Sequence, residues 1–129
     1  MAPTSPTSAV AGLLAPCKRT PNCVSTQAPP GPQLMDPIPY SGPLVQARAR
    51  LLGVLRDYPR TRIVREEPDA LKAEFRSKIF RFVDDGDFVF DDTTKSIHFR
   101  SASRLGRKDF GVNRKRMEEV TRLFQAAAG

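Results

Sequence analysis

Ten of the twelve prolines of this 129-residue chain lie between Pro3 and Pro43. Proline fixes φ and has no N–H to give to a helix or a sheet ladder, so the first third is barred from regular helix and from the interior of a sheet. The chain therefore divides into an extended or disordered proline-rich arm over residues 1–40 and a single compact domain over residues 41–129, a length that supports one modest core and no second one. Within the arm, residues 1–16 are rich in Ala, Pro, Ser and Thr and are expected to be disordered. Residues 17–43 read as extended, and Gln33 to Tyr40 (QLMDPIPY) is stiff and apolar enough to lie along a domain like a strap.

After the arm the hydrophobic period identifies the elements. Leu44, Ala47, Leu51, Val54, Leu55 and Tyr58 recur at helical spacing, with Arg48, Arg50 and Arg56 largely on the other side. Ser41 or Gly42 is expected to cap this helix, Pro43 suits its first position, and Pro59 ends it. The period then changes to two. Arg62 to Arg65 is a short strand. Leu71, Ala73 and Phe75 alternate with Lys72, Glu74 and Arg76, and Phe80 and Phe82 continue the apolar set. Asp84-Asp85-Gly86-Asp87 reads as a turn, Phe88-Val89-Phe90 as a strand, Asp91 to Lys95 as a second turn, and Ile97 to Arg100 as the last strand. A glycine-containing loop over 104–112 leads to a final helix from about Asn113 to Ala127, with Met117, Val120, Leu123, Phe124 and Ala127 on its apolar face. Short links between strands imply antiparallel pairing. The expected fold is α+β: an antiparallel sheet of three to five strands packed against an N-terminal and a C-terminal helix that cover one face.

The formal charge of +7 is unevenly spread. Residues 84–92 hold five aspartates and no base, whereas Ile97 to Arg116 (IHFRSASRLGRKDFGVNRKR) holds seven bases and one acid. Asn113 reads as an N-cap, followed at once by Arg114, Lys115 and Arg116. A helix N-terminus is already partly positive, and each exposed cation placed there costs roughly 0.3–1 kcal/mol, so three in a row call for an anion. That anion is either internal, from the aspartates of 84–92 or Asp109, or a bound ligand held by backbone N–H and guanidinium groups.

Other chemistries fit less well. Asp84, Asp85 and Asp87 lack the alternation of a calcium loop before its glycine, and two thiols with one distant histidine do not make a zinc site, so no metal and no cofactor is expected. Strand alternation puts His98, Arg100 and Ala102 on one face and Ser101 and Ser103 on the other, with His98 on the outer surface, which argues against a Ser/His triad; no Gly-x-Ser-x-Gly elbow occurs. Asp109-Phe110-Gly111 stands without the rest of a kinase, and no phosphate-binding or dinucleotide fingerprint is present. Nucleic acid suits the charge, but no reading module is visible. Cys17 and Cys23 either close a short disulfide loop or remain two thiols. No apolar run reaches the length of a membrane span. The weakly apolar start has no basic residues before it, and Pro16 directly before Cys17 argues against lipoprotein-type cleavage, so the expectation is a cytoplasmic protein.

Pro21-Asn22-Cys23-Val24-Ser25-Thr26-Gln27, Phe80-Arg81-Phe82-Val83-Asp84-Asp85, and Arg100 to Gly106 followed by Asp109 and Gly111 to Arg116 together resemble the motifs of one family, the domain of unknown function 1499 family, in the right order from about Cys17 to the final helix. The resemblance implies a bacterial or plastid protein, with an envelope or plastid-related compartment as the alternative location. It carries no established activity. It sets Asp84, Asp85, Arg100, Arg104, Asn113, Arg114 and Arg116 on the family's motif positions.

The function expected from these features is a non-enzymatic binding module, with a site for an anionic small molecule or an acidic protein surface at the start of the C-terminal helix, formed by Arg100, Arg104, Asn113, Arg114, Lys115 and Arg116. One alternative is a small enzyme acting on a phosphorylated or carboxylated substrate, with Asp84 or Asp85 as acid/base and the arginines as clamp. Another is a structural or interaction domain whose Asp–Arg pairs only hold the fold.

Overall fold

The computed structural model describes residues 14–18, 20, 22–78, 82–105 and 111–128. The first thirteen residues, Phe80, the loop residues 106–110 and Asp109 as a counter-ion lie outside the described residues.

The order of elements is β1 (Cys23–Ser25), β2 (Ile38–Pro39), α1 (Leu44–Asp57), β3 (Thr61–Glu67), β4 (Ala70–Arg76), β5 (Val83–Asp91), β6 (Ser96–Ser103) and α2 (Val112–Ala128). The strands form one antiparallel six-stranded sheet in the order β1-β6-β5-β4-β3, with β2 also on β6. The four strands of the meander are those of the sequence reading. The arm supplies the other two, each only two or three residues long and on the sheet edge, where proline is tolerated.

One face of the sheet carries the core. Leu71, Ala73 and Phe75 of β4, Phe88 and Phe90 of β5, and Ile97 and Phe99 of β6 meet Ala47, Leu51, Leu52 and Leu55 of α1 and Met117, Val120 and Phe124 of α2. Val24, Ile38 and Tyr40 from the arm belong to the same cluster. The strap over Gln33 to Tyr40 ends on a firm anchor: Tyr40 donates to Asp92 at 2.7 Å, and its backbone N–H donates to the carbonyl of Lys95 at 3.0 Å.

Two local expectations change. Pro43 is itself the N-cap of α1, without a side-chain capping bond, so neither Ser41 nor Gly42 fills that role. Asp84 to Asp87 is not a turn but the first half of β5, paired residue for residue with β4 and β6. Strand pairing overrides the turn preference of Asp and Gly because Gly86 faces the core, where a Cβ would stand 2.6 Å from Phe75 Cε2. The glycine makes room for a ring; Asp84 shares its inner face, whereas Asp85 and Asp87 point to the outer face of the sheet.

Candidate functional site

The start of α2 is joined to the sheet by a buried polar hub. The helix begins at Val112, and Lys115 N–H bonds the carbonyl of Gly111 at 2.9 Å. Asn113 is therefore the second residue of the helix rather than its N-cap, and its side chain turns fully inward. Its Oδ1 accepts from Ser101 Oγ at 2.6 Å and from Arg116 Nη1 at 3.0 Å. Its Nδ2 donates to the carbonyl of Asn22 and to Ser103 Oγ, both at 3.1 Å. One amide thus ties the helix, β6 and the arm, and a buried amide with donors and acceptor all engaged specifies that arrangement strongly.

Arg116 completes the hub. Its Nη1 lies 2.9 Å from Asp84 Oδ2, with both side chains 9% exposed. Its guanidinium sits 4.6 Å from the centroid of the Phe75 ring that Gly86 admits. Of the three cations at the start of α2, Arg116 is met by an internal carboxylate, its long side chain reaching from the helix to Asp84 of β5.

The other nominated residues go elsewhere. Arg114 donates to the backbone carbonyls of Pro32 and Leu34, the latter at 3.1 Å, and so clamps the strap. Arg104 lies on the opposite face of the sheet, where it forks onto Asp85 at 2.8 and 2.9 Å and reaches Glu74 at 2.7 Å. Hydrogen bonds from Arg104 are the main cause holding the Asp85 carboxyl below its usual range. Arg100, on the same outer face, stands directly across from Asp87, whose carboxyl burial pushes up against the pull of Lys72 and Arg100. Five of the six nominated residues are therefore divided between the hub, the strap and the outer face. Asp84 and Asp85, adjacent in one strand, are on opposite sides of the sheet, each in an ion pair, and do not converge on one substrate position.

Lys115, the last of the set, opens onto a cleft of about 710 Å³ between α2, the end of β4 and the turn after α1. Its walls hold Arg60, Arg76, Lys78, Lys115, Arg116 and Arg122 against the carboxylates Glu118 and Glu119, over a floor that includes Tyr58, Phe75 and Val112. Tyr58 donates to Glu119, and burial together with that bond pushes its phenol up to about 12. Arg60 holds a left-handed backbone, φ 53°, a region few non-glycine residues enter. Its carbonyl accepts from Arg76 N–H at 3.0 Å, which fixes these two cations beside each other on the rim. Arg60, Arg76, Lys78 and Arg122 were not legible as a group, because they come from a turn, a strand end, a loop and a helix.

His98 is buried, not on the surface. Its Nδ1 shares a 2.9 Å hydrogen bond with Thr26 Oγ1 from the arm, and burial lowers its pKa against a smaller opposing effect of Asp91. The outer face here is covered: Leu14 is 6% exposed and packs on Val89, the cross-strand partner of His98. Cys17 and Cys23 form a disulfide with Cα atoms 5.7 Å apart, closing the arm beside β6. Among the described residues no helix is long and apolar enough to cross a membrane.

These features define a small α+β domain whose sheet is bolted to its last helix by an Asp–Arg–Asn hub and whose N-terminal arm is stitched along one edge. The chain belongs to the DUF1499 family, described as proteins of unknown function, whose model matches residues 13–124. Neither a curated protein nor a solved structure matches it.

Proposed function

We propose that this protein is a non-enzymatic binding module that takes an anionic small molecule, or an acidic surface of a partner, in the cleft beside the first turns of α2. One observation carries the reading: Arg60, Arg76, Lys78 and Lys115 all line this cleft, and none of them forms an ion pair among the described residues. The six cations of the cleft outnumber its two carboxylates, Glu118 and Glu119, and an incoming anion offsets that excess while gaining charge-assisted hydrogen bonds. The apolar floor of Tyr58, Phe75 and Val112 favours a ligand with an apolar part next to its charge.

The test is a thermal-shift screen of phosphate, nucleotides, sugar phosphates, short nucleic acids and anionic lipid headgroups at two salt concentrations, with Arg76→Glu/Lys115→Glu beside the wild type. Both residues are exposed, so the double variant is expected to fold. The expected result is a stabiliser that weakens with salt and loses its effect in the variant. If the variant responds to every compound as the wild type does, the cleft is not the site.

The burial of the Asp84–Arg116 pair favours a second reading, in which the Asp–Arg pairs chiefly hold the fold and the protein acts through a surface elsewhere. Under that reading nothing shifts the wild type while Arg116→Ala melts far lower. The Cys17–Cys23 bridge supports residence in an oxidising compartment, where such bridges persist, over the cytoplasm.

A further inference from the structure

We propose that the outer face of the sheet carries a second anion site, distinct from the cleft beside α2 and suited to a small phosphomonoester. It is a cup of about 460 Å³ lined by Lys18, Thr20, Asn22, Asp85, Arg100 and Arg104, among others. That volume falls in the range of small-ligand pockets.

The argument starts from the rows of side chains across the sheet. One row runs through Arg62, Glu74, Asp85 and Arg104, two cations and two carboxylates, joined by contacts of 3.9, 2.7 and 2.8 Å. That row is neutral. The next runs through Arg65, Lys72, Asp87 and Arg100, in register on four adjacent strands. It holds three cations and one carboxylate, and the carboxylate is spent on Lys72, 4.0 Å away. Arg100 has no ion pair among the described residues, and its Nε–H is buried without a hydrogen-bond partner. Burying a guanidinium N–H unsatisfied is costly, and native proteins rarely leave one so.

Arg100 lines the cup, where an anion can meet its guanidinium. Asp85 and Arg104 neutralise each other on its wall, which leaves Lys18 and Arg100 as two cations lining one space with no ion pair among the described residues. A doubly charged phosphomonoester matches two such cations, and the planar fork of arginine suits phosphate oxygens. The wall that carries Lys18 is held in place. Cys17, next to it, is bridged to Cys23, which pairs with Ala102 on the cup's floor. Gln33 Nε2 donates to the carbonyls of Lys18 and Thr20, the latter at 2.8 Å. The site is thus half sheet and half arm, and reducing the bridge releases the Lys18 side.

The experiment titrates the full chain with inorganic phosphate and with phenyl phosphate, with acetate as the carboxylate arm, following the arginine Nε–H signals by NMR and the affinity by calorimetry. The Arg100 Nε–H signal is expected to move saturably in the wild type. Arg100→Gln is expected to weaken binding by about tenfold or more, the loss of one charge-assisted contact. Cys17→Ser/Cys23→Ser is expected to weaken it as well, and in Arg76→Glu/Lys115→Glu the Arg100 Nε–H signal is still expected to move saturably, which separates this site from the cleft. An Arg100 signal that stays still at saturation overturns the proposal, as does binding lost in the cleft variant but kept in Arg100→Gln. Acetate binding as tightly as phosphate overturns the choice of a dianion, and unchanged affinity in the double-serine variant overturns the part given to the arm.

Discussion

Asp84 and Arg116 meet at 2.9 Å with both side chains nine-tenths buried, and this one contact joins the middle of the sheet to the last helix. Removing either partner leaves a charge buried without its counter-ion. Asp84→Asn and Arg116→Ala are each expected to lower the unfolding free energy by about 3–5 kcal/mol in urea titrations. Replacing both, as Asp84→Leu/Arg116→Met, is expected to cost less than either single change.

The neighbouring carboxylate behaves differently. Asp85 and Arg104 form a close pair, but their side chains are 19% and 46% exposed and water screens them. Asp85→Asn is expected to cost about 1 kcal/mol or less in the same titration. A loss equal to that of Asp84→Asn would place the structural weight on the outer face instead.

Gly86→Ala puts a methyl group 2.6 Å from the edge of the Phe75 ring, which itself backs Arg116. The ring has to shift, at a cost of about 1–3 kcal/mol for overpacking. Pairing Gly86→Ala with Phe75→Leu is expected to recover part of the loss, and a double-mutant cycle measures the coupling.

His98 gives the fold a dependence on mildly acid pH. Its folded pKa lies below the ordinary 6.5, chiefly because burial disfavours the imidazolium. The unfolded chain therefore binds the proton more readily. The contribution is complete above pH 6.5 and is lost as pH falls from there towards the folded pKa. Stability measured between pH 7.5 and about 5.5 should decline with falling pH in the wild type and flatten in His98→Gln. The lowered carboxyl of Asp85 acts in a separate window, losing its contribution only below the ordinary carboxylate range.

The disulfide closes a short loop, with six residues of separation between Cys17 and Cys23. Chain-entropy arguments give such a loop about 2 kcal/mol. Reduction, or Cys17→Ser/Cys23→Ser, is expected to lower Tm by several degrees and to raise protease sensitivity ahead of β2 while the rest of the domain resists. Alkylation and mass measurement of protein from its native compartment then reports whether the bridge is formed there.

The order and kind of the main elements follow from local pattern alone. Leu44 to Tyr58 and Met117 to Ala127 have helical period, and Leu71 to Phe75 and Ile97 to Arg100 have period two, because local geometry decides which side chains share a face. The prolines likewise bar the arm from helix and from the interior of a sheet, and three cations at the start of α2 call for an anion. Other features depend on contacts between distant segments. Asp84 to Asp87 reads locally as a turn and becomes a strand, because flanking strands supply hydrogen bonds on both sides and Phe75 needs the space at Gly86. His98 alternates onto the outer face as expected yet is buried, because the arm, distant in sequence, folds back over it. The cations of the basic cleft come from four separate elements, and no local pattern reveals that they converge. Period and propensity are properties of neighbours along the chain. Pairing of charges, covering of a face and the walls of a cleft depend on which distant segments meet.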